Sequence, residues 1–68
     1  MKIIRDQTHN KLRVIELVHN ENYYIIEDYI NDFGKHLIDV YMQTDEGMKD
    51  LLHSNDWTIG DAMEWIKL

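Results

Sequence analysis

Four histidines are the residues of this sequence best suited to hold a metal ion: His9, His19, His36 and His53. None is spaced from another as His-x-His or His-x₃-His, the short spacings that bring two imidazoles to one ion. The motif His-x-x-Asp occurs at His36/Asp39 and His53/Asp56, but it supplies two ligands where a tight site uses three or four. We therefore expect no metal site and assign the histidines to turns and to the surface.

The tetrapeptide His-Ser-Asn-Asp at residues 53–56 contains the residue types of a hydrolase triad. Triad side chains must converge on one point, whereas four consecutive side chains fan out. Ser54 is the only serine, and no Gly-x-Ser-x-Gly motif surrounds it. Polar residues are common at helix ends and in turns, and such a position explains all four of these residues.

Two pairs of adjacent carboxylates, Glu27/Asp28 and Asp45/Glu46, are the remaining candidates for acid–base chemistry. Neighbouring strand residues point to opposite faces, so Glu27 and Asp28 cannot flank one substrate. Asp45 and Glu46 suit the positive end of a helix dipole. The three glycines are isolated, so no phosphate-binding loop is present. The sequence thus predicts no catalytic residue, no cofactor and no enzymatic activity.

Turn-forming residues recur at short intervals in the first two thirds of the chain, at residues 6–10, 19–22 and 31–34. The segments between them are rich in Ile, Val and Tyr, which is typical of an antiparallel meander. We predict strands at about residues 2–5, 11–18, 23–30 and 35–43. The fourth has the clearest alternation, with Ile38, Val40 and Met42 on one face and Leu37, Asp39, Tyr41 and Gln43 on the other.

The third predicted strand also fits a helical spacing, because Ile26, Tyr29, Ile30 and Phe33 recur at i, i+3, i+4 and i+7, with Gly34 as a C-cap. The Tyr-Tyr-Ile-Ile composition and the flanking turns favour a strand.

The last third of the chain predicts two short helices. Thr44, followed by two acids, has the form of an N-cap, and Met48, Leu51 and Leu52 would be the apolar stripe of the first helix. Thr58 begins the second helix, where an acid three residues later resembles a capping box. The apolar stripe of the second helix consists of Ile59, Ala62, Met63 and Ile66.

The expected fold is therefore α+β, a single domain over residues 1–68. A small four-stranded antiparallel meander is followed by two short helices packed on one sheet face (ββββαα).

The composition excludes several classes of protein. An apolar content of 44% is too high for a disordered acidic tail. No cysteine is present to form disulfides, and no segment has the apolar length of a signal peptide or a membrane span. Met1 begins the chain without a visible tag or linker. These features predict a cytoplasmic protein encoded by a complete small open reading frame.

The net charge of −6 is distributed unevenly, with +2 on residues 1–19 and −8 on residues 20–68. One explanation is that these acidic side chains lie on turns and on helix exteriors, where they interact only with solvent. An acidic surface disfavours nucleic acid, which needs Lys and Arg for its phosphates, and it attracts a basic protein surface. Many basic surfaces in a cell exist to hold DNA or RNA.

Tyrosines on adjacent predicted strands are suited to an interface, where Tyr is enriched at hot spots. We expect a small acidic, non-enzymatic protein-binding module, an inhibitor or regulator that occupies a basic nucleic-acid-binding surface of a partner. Its length, acidity and lack of catalytic residues resemble the small accessory proteins of phages and mobile elements. The expected partner-binding residues are Tyr23, Tyr24, Glu27, Asp28, Tyr29, Asp32, Asp39 and Tyr41.

The alternative is a homo-oligomeric nucleic-acid binder that uses the basic N-terminal hairpin, through Lys2, Arg5, Lys11 and Arg13. A homodimer is expected in either case. A domain of this length buries only about 60% of its unfolded surface, and an open meander leaves edges exposed. The long third and fourth strands lack a proline that would block pairing.

Overall fold

The computed structural model describes residues 1–68, which form a five-stranded antiparallel sheet and one helix. Each strand pairs with the next along the chain, so the sheet is a simple meander. No helix has the length and apolar character needed to cross a membrane. The elements are β1 (Lys2–His9), β2 (Leu12–His19), β3 (Asn22–Ile30), β4 (His36–Thr44), β5 (Gly47–Ser54) and α1 (Ile59–Lys67).

The predicted ββββαα fold class is wrong, because the segment predicted as the first helix is the fifth strand. Thr44 closes a hairpin turn instead of capping a helix. Its hydroxyl donates to the Gly47 carbonyl over 2.7 Å and accepts from the Glu46 N–H over 3.1 Å. Gly47 has a φ of +107°, which is incompatible with a right-handed helix.

A β-bulge in β5 explains why this strand resembles a helix in the sequence. Val40 pairs with Leu52 but Tyr41 pairs with Asp50, which leaves Leu51 without a partner on β4. Two successive leucines are then partly buried, and the alternation of a regular strand is broken. Together with Met48, which is exposed in the structure, they imitate a helical stripe.

The first hairpin also differs from the prediction, because β1 continues through residues assigned to a turn. Asp6 lies within the strand, where its carboxylate accepts two hydrogen bonds from Arg13, over 3.0 and 2.7 Å. The turn itself occupies Asn10 and Lys11, and Asn10 has a φ of +55°. Asn tolerates this conformation better than most residues, which places the reversal here.

The strand interpretation of residues 23–30 is confirmed by β3. The chain reverses after it because Asn31 Oδ1 accepts from the backbone N–H groups of Phe33 and Lys35, both over 2.9 Å. β4, which is an edge strand in the predicted four-stranded meander, lies inside the sheet as β3 does, because β5 pairs with it. The edges are β1 and β5.

The capping box predicted for the second helix is confirmed at the start of α1. Thr58 Oγ1 accepts from the Asp61 N–H over 3.2 Å, and the Asp61 carboxylate accepts from the Thr58 N–H over 2.9 Å. Ala62 and Ile66 of the helix are buried against one face of the sheet. The buried sheet residues of this core are Ile15, Leu17, Tyr24, Ile26, Ile38 and Val40.

A pair of glycine substitutions distinguishes a hairpin from a helix at residues 44–54. We expect Gly47→Ala to destabilise the protein by about 1 kcal/mol, because alanine is strained at a positive φ. We expect Gly60→Ala in α1 to stabilise it by about 0.5–1 kcal/mol through helix propensity, since the new methyl group meets only Thr58 Oγ1, at 3.6 Å. Urea unfolding measures both. Stabilisation by Gly47→Ala would contradict the hairpin.

Candidate protein-binding face

α1 covers only one face of the sheet, and we call the other face, which carries no helix, the open face. Directly opposed residues of neighbouring strands share a face, so the strand register assigns its members. Four cross-strand rows and one further pair, Gln43–Met48, form it. The rows are Arg5–Glu16–Ile25–Tyr41–Asp50, Gln7–Val14–Glu27–Asp39–His53, His9–Leu12–Tyr29–Leu37 and Lys2–Val18–Tyr23.

The open face interleaves aromatic, acidic and aliphatic side chains. On β2 to β5 the open face carries four carboxylates and no lysine or arginine. The one lysine and the one arginine of this face, Lys2 and Arg5, lie on the edge strand β1. Three tyrosines stand between the carboxylates, all partly exposed. The residues that make this acidic aromatic surface are Glu16, Tyr23, Glu27, Tyr29, Asp39, Tyr41 and Asp50.

Asp39 is the centre of this surface and is only 5% exposed. Its carboxylate contacts Nδ1 of His53 on β5. Hydrogen bonding to Asp39 raises the pKa of Tyr29, and burial also contributes. Burial, followed by the negative charges of Asp39 and Glu27, raises the pKa of Tyr41 to about 12. These raised pKa values keep the phenols of the open face protonated, so that their hydroxyl groups are hydrogen-bond donors.

A second contact group lies towards the β1 edge of the open face. The Tyr23 hydroxyl donates to the Glu16 carboxylate, and this hydrogen bond raises the pKa of Tyr23. Arg5 Nε lies 3.3 Å from the other oxygen of Glu16. Glu16 thus joins three strands and is already partly neutralised, which leaves the β3–β5 part of the face the more negative.

The raised pKa of Tyr41 predicts an alkaline limit to stability. In the unfolded chain Tyr41 ionises near 10.0, and in the fold near 12. The folded state holds this proton more tightly, so the stabilisation is complete below pH 10 and is lost as the pH rises towards 12. We expect spectrophotometric titration of tyrosinate to show a late-ionising group that Tyr41→Phe removes. Ionisation of all four tyrosines together near 10 would contradict this environment.

The structure brings together five of the eight predicted partner-binding residues on the open face: Tyr23, Glu27, Tyr29, Asp39 and Tyr41. The other three lie elsewhere. Tyr24 is buried in the core. Asp28 lies on the helix-covered side, where it contacts His36, and Asp32 is in the β3–β4 turn.

Two acids of the open face, Glu16 and Asp50, were missed by sequence reasoning. The alternation of β2, which places Glu16 on the same face as Val14 and Val18, was a usable signal. No such signal existed for Asp50, because the bulge in β5 hides the alternation of that strand.

The basic residues of the N-terminal hairpin do not form one patch. Arg5 lies on the open face beside Glu16, whereas Arg13 lies on the opposite face and is paired with Asp6 at 2.7 Å. Lys11 lies in the first hairpin turn, and Lys2 lies at the other end of β1.

The His-Ser-Asn-Asp segment is divided between the two faces of the sheet. His53 is paired with Asp39 on the open face, and Ser54 is paired with Ile38 on the helix-covered face. Ser54 Oγ accepts from the Asp56 N–H over 3.1 Å, so its hydroxyl is engaged locally. No three His, Asp or Glu side chains converge in a way that would hold a metal ion.

Fold and face together define a small α+β domain in which a five-stranded meander presents one acidic, tyrosine-bearing sheet face. No protein-family model, curated protein or solved structure matches the chain.

Proposed function

We propose that this protein is a small non-enzymatic protein-binding module, whose open face occupies a basic, nucleic-acid-binding surface of a partner protein and thereby inhibits or regulates it. The observation that supports this proposal is the interleaving of tyrosines and carboxylates on the open face. A role of this kind is what we expect of an accessory protein of a phage or mobile element.

The chemistry of the open face suits a basic surface in two ways. Carboxylates on the β2–β5 part attract lysine and arginine and accelerate encounter with a positively charged partner. Tyrosines supply rigid contact area with little loss of side-chain entropy, and their hydroxyls hydrogen bond at the rim of the contact. The strands hold both sets in fixed register, so little ordering is needed on binding.

The test begins with capture of partners from an extract of the source organism, with the full chain as bait. The captured protein is then purified, and its affinity for the chain is measured against salt concentration and against competing DNA or RNA. We expect the affinity to fall steeply with salt and the nucleic acid to displace the chain.

Two results would contradict the proposal. One is an affinity that salt does not change, and the other is a partner that binds the chain and its nucleic acid together. Direct binding of DNA or RNA by the chain alone would favour the alternative of a nucleic-acid binder.

The absence of cysteine supports a cytoplasmic site of action. A homodimer also stays a prediction, supported by the small core and by the β1 edge, where all eight residues are exposed.

A further inference from the structure

A groove of about 580 Å³ lies beside α1, on residues that do not belong to the open face. It is formed by the loop before the helix and by one flank of the helix, and its lining residues are Asp56, Trp57, Asp61, Glu64, Trp65 and Leu68.

Two indole rings form the aromatic part of this groove. The ring centroids of Trp57 and Trp65 are 6.2 Å apart and their planes are inclined at 68°, an edge-to-face arrangement. Both side chains are partly buried and pack against the hydrophobic core. The core thus holds both rings in place, so the aromatic surface exists before any ligand arrives.

Carboxylates supply all of the charge that lines the groove. The Asp61 carboxylate is held by the backbone N–H of Thr58. Asp56 is exposed. Glu64 has a side chain that is 77% exposed, and its one cationic contact is a long one, 3.4 Å to Lys67 Nζ.

We propose that this groove binds the guanidinium group of an arginine side chain presented by a partner protein. Tryptophan is the aromatic side chain that attracts a cation most strongly. A guanidinium is planar and weakly hydrated, so it stacks on an indole while its N–H groups donate in its plane to carboxylates. An ammonium is more strongly hydrated and cannot stack. The site is separate from the open face and does not depend on the function proposed for that face.

A short acetylated and amidated peptide with one arginine flanked by glycines is the probe. The assay is NMR titration of the ¹⁵N-labelled full chain, followed through the two indole N–H signals. We expect saturable shifts of both signals with the arginine peptide. A matched peptide with citrulline, which is neutral and nearly isosteric, should give no shifts, and a lysine peptide weaker ones.

Two double variants with the same change in net charge test the location of the site. Asp56→Asn with Glu64→Gln should weaken binding of the arginine peptide roughly fivefold, because two exposed ion pairs are lost. Asp45→Asn with Glu46→Gln, in the β4–β5 turn, should leave the affinity unchanged. Thermal unfolding of both variants checks that the fold is intact.

Equal binding of the citrulline or lysine peptide would overturn the assignment of arginine. Equal weakening by both double variants would show general charge attraction and would also overturn it. The absence of indole shifts at saturating peptide would exclude the groove, with no consequence for the open face.

Discussion

Ile26→Ala should be among the most destabilising single substitutions in this protein. Ile26 is 0% exposed and lies on the central strand β3, between Ile15 of β2 and Val40 of β4. Truncation leaves a cavity that the neighbouring strands cannot close, which costs about 2–5 kcal/mol. A domain of this length has a free energy of unfolding of only about 3–10 kcal/mol. The substitution should therefore remove about half of the free energy of unfolding and lower the urea midpoint in proportion.

Urea unfolding followed by tryptophan fluorescence measures this loss. The matched control is Ile4→Ala, which removes the same atoms from a side chain that is 54% exposed on the edge strand β1. We expect the control to lose less than about 1 kcal/mol. Equal losses in the two variants would mean that α1 does not cover the face of the sheet that carries Ile26.

Neutralising two acids of the open face should weaken binding of the proposed partner roughly tenfold. Glu27→Gln with Asp50→Asn keeps the size of both side chains and removes two charges from the β3–β5 part of the face. Charge pairs that are desolvated in an interface contribute more than exposed ones, and their loss acts on both association and dissociation. The affinity of the captured partner, measured at low and at physiological salt, gives the effect.

The matched control is again Asp45→Asn with Glu46→Gln, which has the same net charge and alters only the β4–β5 turn. The control should bind the partner with nearly the affinity of the unaltered chain. If both variants bind equally weakly, the partner responds to net charge and not to the open face. If neither variant is weakened, the carboxylates of the open face have no part in the interaction.

Two local signals in the sequence predicted the structure correctly. The capping box joins Thr58 and Asp61, three residues apart, and it forms as predicted. The alternation in β4 correctly separates Val40, which is buried, from Tyr41, which lies on the open face. Both patterns depend on backbone geometry within a few residues, so the sequence alone carries them.

The fifth strand escaped prediction because its pattern depends on a partner strand. A bulge at Leu51 is stable only when β5 pairs with β4, and that pairing cannot be read within an eight-residue segment. The turn before it contains Thr44, Asp45 and Glu46, whose side chains also suit a helix start. One element was therefore assigned to the wrong class, and Asp50 was lost from the predicted binding residues.

The sequence by itself determined that Tyr23 and Tyr24 point to opposite faces, since side chains alternate along any strand. It also determined the uneven charge, acidic after the first hairpin. Only the tertiary structure decided which tyrosine is buried. α1 docks on the face that carries Tyr24 and leaves Tyr23 on the open face. Non-local packing decides which of the two tyrosines is buried, because the apolar stripe of the helix must be buried against a complementary apolar face of the sheet.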